Sequence, residues 1–259
     1  MGILNVTPDS FADGGRHFGI DDAIRRASEM VDEGVDIIDV GGESTRPGAT
    51  RVDEDEERRR VIPVITEIAK LNVPISVDTI RASIAKEAIE AGAGYVNDVS
   101  GALADPDMAP LMAANPGVQF VAMHWRGHSE NMAEKAQYKD VVGEIRRELA
   151  TRTEKLVEQG LDPDQIIIDP GLGFAKEPEH NWQILQGLDR IALMGFPILI
   201  GASRKRFLGE LLDGAAPDQR DSASVAVTVM LARAGIWGVR THSVKPHKDA
   251  IKVVDRWMR

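Results

Sequence analysis

Residues 74–99 read PISVDTIRASIAKEAIEAGAGYVNDV and hold one complete repeat of the pattern that decides the fold. A short apolar run with β-branched residues, Pro74–Thr79, is followed by a stretch, 81–91, whose apolar residues fall three and four apart. A tight connection, Ala91–Gly94, leads into a second run, Tyr95–Val99. The first pattern is that of a buried strand, the second that of an amphipathic helix. The same alternation extends outward in both directions. Further strand runs lie at Met1–Val6, Val35–Val40, Val118–His124, Ile166–Asp169, Pro197–Ser203 and Gly238–His242. Helical stretches lie near 21–33, 53–70, 105–115, 139–159, 178–193, 219–234 and 245–258. Pro63 should kink the second helix or open its main part.

Strand–helix alternation implies parallel strands joined by right-handed crossovers. Eight such pairs are what closes a (β/α)8 TIM barrel, with an open doubly wound sheet as the alternative. The chain has 259 residues, close to the roughly 200–250 over which α/β barrels form one unit. No Pro/Ser-rich linker interrupts it, so a single-domain α/β barrel over 1–259 is expected. Helix-to-strand connections are short. Strand-to-helix connections are longer and polar at Thr7–Ile20, Gly41–Val52, Trp125–Tyr138 and Pro170–Glu177. The long loops, foremost those after strands one, two and five, should therefore cluster on the face where barrel enzymes keep their active sites.

Composition narrows the function. With 31 basic and 41 acidic residues the net charge is −10, which argues against a nucleic-acid or membrane-surface partner. No apolar run approaches the ~20 residues of a membrane span. The opening MGILNVTPDSF lacks the basic region of a signal peptide. There are no cysteines, hence no disulfide framework. These features together fit a cytoplasmic protein.

The strand ends carry polar residues. Asn5 ends the first strand, and Asp39 the second, with Glu43 to Arg46 beyond it. Asp78 and Thr79 end the third, Asn97 and Asp98 interrupt the fourth, and His124 ends the fifth. Asp169 ends the sixth, Ser203 to Arg206 follow the seventh, and Arg240 and His242 end the eighth. Buried carboxylates are costly unless paired, so several on one rim point to a polar ligand. Arg204, Lys205, Arg206, Arg240 and His242 form a cationic cluster after strands seven and eight, the usual phosphate quarter of a barrel. The alternative is that Arg204 or Arg206 pairs with a helix carboxylate. Asp78, Asn97 and Asp169 suit a heterocycle rich in N–H donors, since one carboxylate accepts two parallel N–H bonds. His124 is either a general base or a packed rim residue. No HExxH, GxSxG, P-loop or GxGxxG motif is present.

Six segments, in order, make the chain resemble the dihydropteroate synthases. They are Met1–Gly15 (MGILNVTPDSFADGG), Val40–Pro47 (VGGESTRP), Ile75–Thr79 (ISVDT), Tyr95–Gly101 (YVNDVSG), Ile167–Phe174 (IIDPGLGF) and Gly201–Gly209 (GASRKRFLG). The resemblance implies condensation of 6-hydroxymethyl-7,8-dihydropterin diphosphate with p-aminobenzoate, in folate biosynthesis. It implies Mg²⁺ as cofactor on Asn5. It places the pterin at Asp78, Asn97, Asp169 and Lys205, with Met123 and Phe174 as walls. The diphosphate falls at Arg240 and His242 beside Thr45, and p-aminobenzoate at Phe11, Thr45, Arg46, Pro47, Lys205 and Arg206. The catalytic set it implies is Asp78, Lys205, Arg240 and His242. Loops 7–19 and 42–52 are expected to close over the site. A homodimer through the last two helices is also implied, with Val225, Val229 and Trp237 either in the contact or in the core. The sequence departs from the pattern in three places. Relatives usually carry residues before the first strand, they have Ser at position 206, and an apolar residue and an acid flank their last-strand histidine where Thr241 and Ser243 stand here. A methyltetrahydrofolate-dependent methyltransferase and a non-catalytic pterin-binding paralogue are the alternatives.

Overall fold

The computed structural model describes residues 1–6, 16–43, 52–127 and 132–259. The apolar runs become strands β1 (Gly2–Asn5), β2 (Ile38–Gly41), β3 (Ile75–Asp78), β4 (Tyr95–Asp98), β5 (Gln119–Met123), β6 (Ile166–Asp169), β7 (Leu199–Ile200) and β8 (Gly238–Val239). All pairings are parallel, in sequence order from β1 to β6 and again from β7 to β8. Two parallel bridges, Ile168 to Ile198 and Gly2 to Thr241, join these arcs. The amide of Ile168 donates to the Pro197 carbonyl at 2.9 Å, and that of Ile3 to the Thr241 carbonyl at 2.9 Å. The strands therefore form one ring, as expected for a (β/α)8 barrel.

The helices are α1 (Arg16–Asp32), α2 (Glu54–Ile68), α3 (Ala82–Glu90), α4 (Met108–Ala113), α5 (Val141–Glu158), α6 (Pro178–Gln186), α7 (Leu188–Ala192), α8 (Arg206–Leu211), α9 (Asp221–Arg233) and α10 (Val244–Met258). No described helix is long and apolar enough to cross a membrane. Three local expectations change. Helix α2 begins at Glu54 and runs unbroken past Pro63, so Pro63 does not open its main part. The stretch expected as one helix over 178–193 divides at Gly187, where a Cβ would lie 2.9 Å from Val142 of α5. Close approach of α5 is what requires glycine there. Helix α8 was not foreseen, because six residues are too few to establish a period.

Side chains alternate along each strand, and the alternation sorts two layers. Val96, Phe120, Ala122, Ile168 and Ile200 pack outward between strands and helices. Val121, Ile167 and Leu199 pack inside the ring with Met1 and Tyr95. Two residues further along the inward parity stand Asn97, Met123, Asp169 and Gly201. The barrel interior thus changes from an apolar floor to a polar mouth within one step of the strand repeat.

Buried ion pairs hold the stems of the β2–α2 loop. Glu57 is buried and accepts from Thr79 Oγ1 at 2.6 Å and from Arg81. Arg81 also pairs with Glu43 at 3.1 Å and donates to the Val52 carbonyl at 2.7 Å, while Arg60 holds the Gly42 carbonyl at 2.8 Å. Removing Glu57 takes the acceptor from the buried Thr79 hydroxyl and leaves Arg81 with Glu43 as its remaining carboxylate, so Glu57→Ala should lower stability by about 1–3 kcal/mol. Urea unfolding is the measurement, and an unchanged midpoint would contradict this.

Candidate active site

The strands bring nine of the proposed site residues to the mouth of one barrel. Asn5 closes β1, Asp78 closes β3, Asn97 lies on β4, Met123 ends β5 and Asp169 ends β6. Phe174 follows in the β6–α6 loop, Lys205 precedes α8, and Arg240 and His242 follow β8. Phe11, Thr45, Arg46 and Pro47 lie outside the described residues, as does most of the two loops expected to close.

Arg240 is the centre of the charged set. Its Nε donates to Asp39 Oδ2 at 2.5 Å and its Nη2 to Asp78 Oδ2 at 2.7 Å. Asn97 Nδ2 donates to the same Asp39 oxygen at 3.1 Å. Asp169 Oδ1 accepts from the Gly171 amide at 2.6 Å. Lys205 Nζ donates to the Leu172 carbonyl and stands 4.9 Å from the Phe174 ring centroid. Beneath it, the buried Lys176 ammonium donates to the Phe174 carbonyl at 2.9 Å and to His124 Nδ1 at 3.2 Å. The β6–α6 turn, which passes through left-handed backbone at Gly171, Gly173 and Ala175, is thereby pinned by two ammonium groups.

Burial dominates the titration of these groups. It pushes Asp78 up, Arg240 pulls it back, and the neighbouring Asp39 adds to the rise. Asp169 is raised by burial against the opposing pull of Lys205. Burial lowers Lys205 to about 8 and Lys176 to about 7, with Asp169 opposing in both cases. Two carboxylates (Asp78, Asp169) therefore share the mouth with two cations (Lys205, Arg240), and Asp39 and Lys176 lie buried beneath them. Such groups, short of water, favour a ligand that offers N–H donors to the acids and anionic oxygens to the bases.

His242 has a partner where the flanking acid of the resemblance is missing. Ser203 Oγ accepts from the His242 amide at 3.2 Å and lies 3.1 Å from its Nδ1. An oxygen that accepts from the amide can give its own proton to Nδ1, which leaves Nε2 as the N–H nitrogen. His124 is the packed residue of the two readings. It is buried, its Nε2 is 2.9 Å from Glu148, and burial lowers it to about 4. Arg126 clamps the same Glu148 at 3.1 Å.

Two members of the expected cationic cluster are placed differently. Arg204 turns to α9 and meets Asp221 with two bonds of 2.7 and 2.8 Å. Arg206 is 73% exposed and pairs with Glu210, one turn on, at 3.2 Å. Asp39 and Ser203, seen from sequence only as rim residues, contact site residues, and Lys176, not singled out from sequence, joins them at the Phe174 carbonyl. The inward parity of β2 was the signal for Asp39. Lys176 and Ser203 lie in or beside irregular backbone, where no period marks direction.

Comparison with known proteins agrees with this geometry. Residues 1–242 match the pterin binding enzyme family. The dihydropteroate synthase of Mycobacterium leprae is 50% identical over all of this chain and 93% of its own length. That of Bacillus subtilis is 46% identical over 98% of this chain and 87% of its own. The fold superposes on the Yersinia pestis dihydropteroate synthase, solved in a sulfonamide drug complex, with a TM-score of 0.93 at 39% identity, covering 100% of this chain and 93% of that one. The Xanthomonas albilineans dihydropteroate synthase, solved with 7,8-dihydropteroate, gives a TM-score of 0.90 at 38% identity, covering 100% and 92%. A polar barrel mouth and relatives matched along most of their length lead to one conclusion: this chain belongs to the pterin binding enzyme family, among the dihydropteroate synthases.

Proposed function

We propose that the barrel formed by residues 1–259 condenses 6-hydroxymethyl-7,8-dihydropterin diphosphate with p-aminobenzoate, giving 7,8-dihydropteroate and diphosphate. The observation that carries this reading is the convergence of Asp78, Asn97, Asp169, Lys205 and Arg240 at one end of the barrel in a chain half identical to a dihydropteroate synthase. Asp169 and Asn97 accept the N–H donors of the pterin, with Met123 and Phe174 against its faces. Lys205 and Arg240 supply positive charge, and His242 donates from Nε2 to the diphosphate. The pterin methylene C–O bond breaks with its electron pair leaving on diphosphate, where these fixed donors stabilise the developing charge. Asp78 stabilises the positive charge left on the pterin. The neutral aniline nitrogen then forms the C–N bond and gives up a proton.

Phe11, Thr45, Arg46, Pro47, Lys205 and Arg206 remain the positions we assign to p-aminobenzoate. For Mg²⁺ the fit is partial by protein ligands alone, since among the described residues no group of three His, Cys, Asp or Glu is arranged to hold a metal ion. Mg²⁺ keeps several waters and needs few protein oxygens when phosphate supplies the rest, and the Asn5 amide oxygen meets that requirement. When bound, the ion would neutralise charge on the leaving diphosphate. The test is purified protein with both substrates and Mg²⁺, scored for dihydropteroate. Absence of product would overturn the reading.

We also propose that the protein dimerises through α9 and α10. The two helices are locked together, with Thr228 Oγ1 2.7 Å from His247 Nδ1, and they leave Met230, Val253, Trp257 and Met258 exposed. Trp257, 80% exposed, is large enough to dominate such a contact. Trp257→Glu should convert a dimer to a monomer in analytical ultracentrifugation, and a monomeric wild type would refute the assignment.

A further inference from the structure

Asp39 is fully buried on the inward face of β2, beneath the mouth of the barrel, so it does not reach a ligand. One oxygen, Oδ2, takes two bonds from residues that do stand at the mouth: Asn97 Nδ2 at 3.1 Å and Arg240 Nε at 2.5 Å. The other, Oδ1, has no partner among the described residues. A buried carboxylate left half-satisfied is a poor contributor to stability, and a well-packed apolar residue in its place is often neutral or better. Its geometry has a different consequence. An ionised carboxylate only accepts, so Asn97 must turn its NH₂ group toward Asp39. The Asn97 carbonyl oxygen then faces away, as an acceptor for donors on a ligand. The same carboxylate holds Arg240 at Nε, which leaves Nη2 to reach Asp78 at 2.7 Å. Asp39 therefore sets the polarity of one site residue and the aim of another.

We propose that Asp39 is a positioning residue that makes the pterin site selective for N–H donors by fixing Asn97 as an acceptor. The proposal rests on the dihydropteroate synthase reading above. In Asp39→Asn the packing volume is kept, but position 39 can donate as well as accept, so the Asn97 amide is free to flip. Affinity for the dihydropterin diphosphate, read by calorimetry, should fall by about 10-fold or more, the effect of losing one buried hydrogen bond and leaving the ligand donor unsatisfied. The double variant Asp39→Asn/Asn97→Asp exchanges amide and carboxylate. The amide then donates to the carboxylate, an acceptor again faces the ligand, and most of the lost affinity should return. A generic structural defect at Asp39 would not be rescued by a second substitution.

Asn97→Asp alone supplies a test that leaves Asp39 untouched. A carboxylate at 97 accepts ligand donors as well as an amide oxygen does, so a loss of affinity there reports its repulsion from Asp39. Wild-type affinity in Asp39→Asn, absence of rescue in the double variant, or full affinity in Asn97→Asp would each overturn the proposal while the functional reading stands. A wild-type protein that binds no dihydropterin diphosphate would instead overturn the functional reading and this inference together.

Discussion

Arg240→Met is expected to bring the rate of dihydropteroate formation down by about 1000-fold and to make the protein's stability steeply dependent on pH. The first effect follows from removing a fixed cation where diphosphate charge develops. The second follows from what remains. Arg240 is bonded to both Asp39 and Asp78, and without it two buried carboxylates face each other with no cation between them. Breaking such a buried arrangement costs about 3–5 kcal/mol. Burial and the Asp39 charge already push Asp78 above the ordinary carboxylate range, and only Arg240 among the leading influences pulls it down. In the variant it must rise further. A folded-state pKa above the unfolded one means that the folded protein holds more protons, so stability falls as pH rises between the two values. Asp78 is already raised to about 7 in the wild type, so Arg240→Met should lose stability relative to wild type as pH rises above about 7, by about 1.4 kcal/mol per pH unit for each proton the folded variant retains. Urea unfolding at several pH values measures this. A difference from wild type that stays constant with pH would contradict the pairing.

Asp169→Asn is expected to raise the dissociation constant for the dihydropterin diphosphate by about 100-fold, while p-aminobenzoate binding to a preformed enzyme–diphosphate complex changes little. Asp169 is buried, accepts from the Gly171 amide, and is the leading influence that keeps both Lys205 and Lys176 protonated. The amide retains the shape but removes the carboxylate that most supports the charge on those two ammonium groups. Both lysines should then deprotonate at lower pH, which loosens their hold on the Leu172 and Phe174 carbonyls and on the turn between them. Apart from Lys205 and its neighbour Arg206, the p-aminobenzoate positions we assign lie on other loops, so p-aminobenzoate binding should change far less. Calorimetry with each ligand separates the two effects, and unchanged dihydropterin diphosphate affinity would refute the role of Asp169.

Much of the fold could be read locally. A run such as Ile166–Asp169 is apolar because both faces of a parallel barrel strand are covered, one by helices and one by the barrel interior. Strand ends were legible for the same reason: Asp78, Asn97 and Asp169 break apolar runs at the point where the barrel opens. Local reading failed where distant contacts decide. Gly187 divides a helix because Val142 of α5 approaches it, and nothing between 178 and 193 announces that neighbour. Arg204 looked like part of a cationic cluster, yet its left-handed backbone (φ 60°) and its bonds to Asp221 turn it toward α9. Cluster membership was inferred from adjacency in sequence, and adjacent residues point in different directions once the backbone leaves a regular element.

What the amino-acid order determined alone was the architecture and the rim on which chemistry happens, because strand and helix periods and loop lengths are short-range properties. What only tertiary structure decided was which rim residues act on one another. Asp39 meets Asn97 from 58 positions away and Arg240 from 201. Those meetings depend on the stagger of neighbouring strands and on closure of the ring between β8 and β1. Hydrogen bonding across the whole barrel sets both, so no stretch of sequence encodes them.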